Sequence, residues 1–178
     1  MMMKQYGKWG LLAGLLLSLS LAEAAPPAPA PCSAPEYRRF DFWLGQWTAY
    51  SEDGKKQGTN HLQRVFGDCG IQENWVSGQG AFTGTSFNFY IPERQVWHQT
   101  WIDSGGGTLL LEGGFKDGSM QLQGERIGKE GGTVLDRITW TPLEDGRVRQ
   151  HWQASTDNGV TWSEVFDGYY QREQNPGD

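Results

Sequence analysis

Glu73 is the residue of this chain best suited to acid–base chemistry. On a strand it shares a face with Trp75, two positions on. A carboxyl among aromatic rings has its pKa pushed upward, toward what a general base needs. Paired with Asp103 or Arg149, Glu73 would suit an isomerase or a hydrolase. The three histidines, His61, His98 and His151, stand in no metal-ligand spacing with one another, with a cysteine or with a carboxylate. No metal site is expected from them. His98 or His151 could each act as an axial haem ligand on a barrel strand, which leaves a haem-binding barrel as an alternative. There is no Gly-x-Ser-x-Gly elbow and no recognisable nucleophile triad.

The stronger pattern points to binding. Tryptophans recur beside neutral amides in Glu73-Asn74-Trp75, in Trp97-His98-Gln99-Thr100-Trp101 and in Gln150-His151-Trp152. Strand alternation puts Trp97, Gln99 and Trp101 on one face, and Gln150 and Trp152 on another. An ordinary core strand would use aliphatic residues there, whereas ligand cavities combine aromatic walls with a few placed polar groups. The expected ligand-binding set is Glu73, Trp75, Asn88, Trp97, Gln99, Trp101, Gln150 and Trp152. Ser86, Asn88 and Tyr90 form a rival lining opposite Phe87 and Phe89, and a one-residue change of register would invert the choice.

These side chains need strands to hold them. Asp53-Gly54, Asp117-Gly118, Asp145-Gly146 and Asn158-Gly159 are hairpin-turn dipeptides, and Gly105 to Gly107 and Gly131-Gly132 are further breaks. Between them lie about ten runs rich in aromatic and β-branched residues: 46–51, 59–66, 71–77, 85–91, 96–103, 108–115, 120–126, 134–141, 148–155 and 162–172. The only helical candidate is a turn or two at 35–44. Short, regular connections predict an all-β, up-and-down antiparallel barrel, closed to remove its edges. A β-sandwich is the alternative. Ser155-Thr156-Asp157-Asn158-Gly159-Val160-Thr161-Trp162 resembles the Asp-box of sialidases and other exported β-proteins. Its Ser155, Asp157, Gly159 and Trp162 are expected to clasp one hairpin, and its single occurrence argues against a propeller.

The first residues read as a targeting signal. Lys4 and Lys8 precede the apolar run 11–21, and Ala22-Glu23-Ala24 is a small-x-small cleavage site. The expected organisation is a signal peptide at 1–24, a Pro/Ala linker at 25–35, the barrel at 36–174 and a disordered tail at 175–178. Removing Lys4, Lys8 and Glu23 takes the net charge from −6 to −7. An acidic domain of this kind argues against nucleic acid and against anionic membrane surfaces as partners. No stable membrane insertion is expected after cleavage, and the protein is placed in the periplasm or outside the cell. Its two cysteines, Cys32 and Cys69, read as one structural disulfide.

Phe40-Asp41-Phe42-Trp43-Leu44-Gly45-Gln46-Trp47 carries a resemblance. Gly45-x-Trp47 on a first strand, with Arg172 late in the chain to pack over the tryptophan, resembles the lipocalin and wider calycin signature. The octapeptide, together with 69–75, 84–90, 97–101 and 140–142, resembles an uncharacterised bacterial exported family over nearly the whole mature chain. The resemblance implies a calycin-like barrel whose floor is built by Gly45, Trp47 and Arg172, with Phe40 to Leu44 as an apolar lid and Trp47 as a plug. The expected function is to hold a small, partly apolar molecule, with no cofactor. The alternatives are a lipocalin-like enzyme using Glu73 and a structural module with no cavity.

Overall fold

Strand ends follow the turn signals closely. The computed structural model describes residues 28–173, and ten strands form: β1 (Gly45–Tyr50), β2 (Lys56–Val65), β3 (Gly70–Ser77), β4 (Thr83–Ile91), β5 (Val96–Asp103), β6 (Thr108–Lys116), β7 (Ser119–Ile127), β8 (Thr133–Pro142), β9 (Val148–Ser155) and β10 (Ser163–Arg172). Each pairs antiparallel with its sequence neighbours, and β1 pairs with β10, so the sheet closes into a barrel. Closure leaves no free edge, and the sandwich alternative is set aside. Strand β2 starts earlier than expected because Gly58 is already in the ladder, opposite Ala49 and Ser77. The proposed signal peptide, the first residues of the linker and the 175–178 tail lie outside the described residues.

Alternation sorts the residues by face. Charged and amide side chains such as His61, Gln63, Gln72, Arg137 and Glu164 point outward, and the buried apolar residues Leu62, Ile71, Leu111, Leu122 and Ile138 point inward. Among the described residues, no helix is long and apolar enough to cross a membrane.

The two barrel ends are built differently. At the end where β1 begins, two 3₁₀ turns, Pro35–Arg38 and Asp41–Trp43, carry the chain across the bore. Phe40 and Trp43 turn inward and are fully buried. Phe40 stacks on Trp43 at 5.0 Å between ring centroids and meets Trp97 and Trp140 edge-on at 5.6 and 5.2 Å. Trp43 also contacts Tyr170, which in turn meets Trp47. The plug is thus shared by the rings of Phe40, Trp43, Trp47, Trp97 and Trp140 and is not the work of Trp47 alone.

Three further contacts fix this closed end. The Arg172 guanidinium lies 4.3 Å from the centre of the Trp47 ring and donates to Leu44 O at 3.0 Å. Trp47 Nε1 donates to Trp43 O at 2.9 Å. Gly45 has φ +128°, and a Cβ there would overlap the Arg172 guanidinium, so only glycine combines this turn with that close approach. The disulfide joins Cys32 to Cys69 in the β2–β3 turn, tethering the plug segment to the barrel across a separation of 37 residues. Asp41 pairs with Arg64 of β2 and adds a second tether.

Candidate functional site

At the closed end the rings of Phe40, Trp43, Trp97 and Trp140 occupy the bore. Toward the other end the bore opens into a cavity of about 210 Å³. Its wall includes Glu73 and Trp75 from β3, Gln99, Trp101 and Asp103 from β5, Leu109 and Ile138 from β6 and β8, Gln150 and Trp152 from β9, and Phe166 and Tyr170 from β10, with Phe82 and Val165. The volume exceeds the roughly 150 Å³ that accommodates a benzene ring and falls below the 300 Å³ or so at which drug-sized pockets begin. The space therefore suits a compact molecule of one ring or a short branched body.

Of the residues expected to line a site, Glu73, Trp75, Gln99, Trp101, Gln150 and Trp152 meet at this cavity. Trp97 and Asn88 do not reach it, although both point inward. Trp97 sits two inward positions below Trp101 on β5, at plug depth, where it packs on Phe40 and Tyr90 and donates to Glu36 O at 3.2 Å. Asn88 pairs across the ladder with Gln99 and is fully buried beneath the cavity. The two supposedly rival faces are one interior: β4 sends Ser86 and Asn88 into the bore, beside Gln99 of β5, while Phe87 and Phe89 face outward and are partly exposed.

A buried polar chain forms the cavity floor. Asn60 Nδ2 donates to Glu73 Oε1 at 2.7 Å, and Ser86 Oγ donates to Oε2 at 2.6 Å. Ser86 Oγ accepts in turn from Asn88 Nδ2 at 2.8 Å, and Asn88 Oδ1 accepts from Gln99 Nε2 at 2.8 Å. Donors therefore run from Gln99 through Asn88 and Ser86 to the carboxylate, and from Asn60 to its other oxygen. Glu73 is only 3% exposed. Burial outweighs these bonds and raises its pKa from 4.5 to about 7. Asn60 Oδ1 is buried without a hydrogen-bond partner. An amide flip would let it accept a proton on Glu73, so Asn60 can serve both protonation states of the carboxyl. Tyr170 donates to Gln150 Oε1 at 2.6 Å, and burial with Glu73 nearby holds its phenol neutral, its pKa raised well above the ordinary value.

The aromatic walls lie over glycines. A Cβ at Gly58 would overlap the Trp75 indole, one at Gly84 the Trp101 indole, and one at Gly168 the Phe166 ring. These three positions let the rings lie flat against the sheet and keep the bore open. Trp101 Nε1 donates to Asp103 Oδ2 at 3.1 Å. Trp152 Nε1 donates at 2.7 Å to Asp136 Oδ1, whose other oxygen takes Arg126 Nε at 2.7 Å. A bulge in β10 sets Val165 and Phe166 opposite the single residue Trp152, so both reach the mouth. Sequence reasoning had no means to single out Asn60, Phe166, Tyr170 or the three glycines. The alternating glycine–aromatic pattern is visible in the chain, but only the register shows which ring covers which glycine.

Other expected chemistry is placed elsewhere. Arg149 faces outward and holds both oxygens of Asp167 at 2.8 and 2.6 Å, so it cannot assist Glu73. The histidines also face away from the bore: His98 bonds Glu112 and Thr100, His151 lies 3.4 Å from Glu164, and His61 is exposed. A haem enclosed in the barrel would have no axial histidine from them. Pairing of β9 with β10 does bring His151, Glu164 and Asp167 together on the outer face, with Asp167 already committed to Arg149.

The hairpin at 155–162 closes as a clasp. Asp157 Oδ1 accepts from Thr161 N and from Ser155 Oγ, both at 2.8 Å, and Oδ2 accepts from Thr161 Oγ1 at 2.6 Å. These bonds hold the Asp157 pKa down at about 2. Gly159 has φ +85°, and the Trp162 indole donates to its carbonyl oxygen at 3.0 Å beneath the Arg137 guanidinium. Comparison with protein-family models and with curated proteins gives no match.

Proposed function

We propose that this chain is an exported, calycin-like barrel that binds a compact, partly apolar molecule in the cavity above Glu73. The observation that supports it most is the contrast between the two barrel halves. In one, aromatic rings occupy the bore, while the other keeps about 210 Å³ open behind aromatic walls and a hydrogen-bonded polar floor. A structural module would gain stability by covering those apolar walls with side chains, at about 25 cal/mol per Å² of apolar surface removed from water. The disulfide and the N-terminal pattern support export.

The test is titration of intrinsic tryptophan fluorescence with small aromatic and branched aliphatic compounds, in the native protein and in Leu109→Trp, which fills the cavity. Saturable changes lost in the variant are expected. Identical responses in the two proteins would place binding elsewhere and refute the assignment.

A second reading, proton transfer by Glu73 in a lipocalin-like isomerase or hydrolase, draws on one observation. A buried carboxyl with a pKa of about 7 faces a ligand-sized space. Under that reading Glu73→Gln abolishes turnover of a bound neutral substrate while leaving its affinity intact.

A further inference from the structure

We propose, building on the ligand-binding reading above, that the cavity selects a compact organic cation. It would be a quaternary ammonium or protonated amine on a ring-sized apolar body, its charge set against Glu73 and the faces of the surrounding aromatic rings.

The charge inventory of the cavity supports this choice. Its wall holds two carboxyl groups, Glu73 and Asp103, and no lysine, arginine or histidine. At the same end Arg126 is committed to Asp136. Around Glu73, β2 presents Asn60, β4 presents Ser86 and β10 presents Tyr170. The Tyr170 phenol, whose pKa Glu73 helps to raise, is the other titratable group here, and it stays neutral. A buried carboxylate without a cation is costly, and the two groups bonded to Glu73, the Asn60 amide and the Ser86 hydroxyl, are neutral. The site can accommodate the ionised carboxyl but supplies no counter-charge of its own.

The donors and rings point the same way. Trp101 Nε1, Trp152 Nε1, Gln99 Nε2 and the Tyr170 hydroxyl are turned to protein acceptors, which leaves the Gln150 amide as an uncharged donor at the wall. An anionic ligand would meet two carboxyl groups and no positive charge. With their N–H edges bonded to Asp103 and Asp136, Trp101 and Trp152 contribute ring surface to the wall. Aromatic faces attract cations most strongly when water is excluded.

Binding of a permanent cation is then linked to the proton on Glu73. The cation and the proton compete for the same carboxylate, so affinity rises with pH through the group's pKa of about 7. The gain from about pH 5 to about pH 8 approaches two orders of magnitude when the bound cation holds Glu73 ionised throughout.

The test titrates the disulfide-bonded protein with benzyltrimethylammonium, with its uncharged carbon isostere neopentylbenzene, and with phenylacetate, by tryptophan fluorescence and calorimetry at several pH values. The cation is expected to bind best, more tightly as pH rises, with release of a proton near neutral pH. Glu73→Gln is expected to weaken it about tenfold or more and to remove the pH dependence of its affinity. The pH profile of the unmodified protein gives the same answer should that variant fold poorly. Equal, pH-independent affinity for the cation and neopentylbenzene would overturn cation selection and leave the cavity assignment standing. Tighter binding of phenylacetate would reverse the sign of the proposal. Binding of none of the three would overturn both.

Discussion

Replacing Glu73 by Gln is expected to remove a pH dependence of folding stability that is specific to this residue. In the folded barrel the carboxyl has a pKa of about 7, against 4.5 for the free side chain. Below the lower value both states are protonated and the stabilisation is fully present. Between the two values the native state still holds a proton that the unfolded chain has released, so stability falls as pH rises, and the loss is complete above the folded pKa. A raised pKa of this size corresponds to about 3 kcal/mol. Glutamine has nearly the same shape and no proton to lose. Its Oε1 can accept from Ser86, and its Nε2 can donate to Asn60 Oδ1, the acceptor that has no partner in the native arrangement. The variant should therefore match the parent near pH 5 and exceed it near pH 8. Urea unfolding of both proteins, followed by tryptophan fluorescence, measures this directly. With a typical slope the midpoints should separate by about 1–2 M at the higher pH. Every other titratable group is common to the two proteins and cancels in the difference. Parallel pH profiles would refute the reasoning, because Glu73 would then be as solvated in the folded state as in the unfolded one.

Other outcomes follow from the same geometry. Reducing the Cys32–Cys69 disulfide, or replacing both cysteines by serine, should lower stability by about 4 kcal/mol on the chain-entropy model, measured by urea unfolding. Ligand titrations should be unchanged, since the bridge secures the closed end; altered affinity would contradict that separation. Gly45→Ala forces a side chain into a positive-φ position against Arg172 and should cost about 1–3 kcal/mol, whereas an unaffected melting temperature would refute the close approach. Gly84→Ala places a methyl where the Trp101 indole lies and should push that ring into the cavity, shifting tryptophan emission and weakening ligand binding. Unchanged emission and affinity would show that the ring does not rest on this glycine.

The chain's order of turns and strands was legible because each signal is local. Asp117-Gly118 and Asp145-Gly146 sit between runs of alternating residues, and the structure turns there, at Gly118 and Gly146 with positive φ. The hairpin clasp at 155–162 was legible for the same reason, since its bonds span only a few residues. So was the short helical region ahead of β1, where Pro35 and the run of aromatic residues leave no alternation to follow. The aromatic–amide motifs correctly marked strands with an inward face, and Glu73 was singled out by its neighbours alone.

Depth along the bore was not legible. Trp97 and Trp101 have the same parity and the same residue type, yet one belongs to the plug and the other to the cavity, because Phe40 reaches only the lower of them. Parity gives the face, and closure of the barrel gives the height. Read on its own strand, the Ser86 and Asn88 face competes with the tryptophans, because a single strand does not reveal its neighbour's register. Once β4 pairs with β5, both sets face the same interior. Arg149 and the histidines were candidates by type and were removed by orientation.

By itself, then, the sequence determined what depends on neighbours along the chain: turns, strand lengths, the all-β class and the pairing of the only two cysteines. The tertiary structure decided what depends on neighbours through space. It set Asn60 and Ser86 on the two oxygens of Glu73, put Gly58 and Gly84 beneath the rings of Trp75 and Trp101, and sent Phe40 and Trp43 into one end while leaving the other open. Each of these contacts joins different strands, or the plug segment to the barrel, and each exists only once β1 has met β10 and the bore has closed.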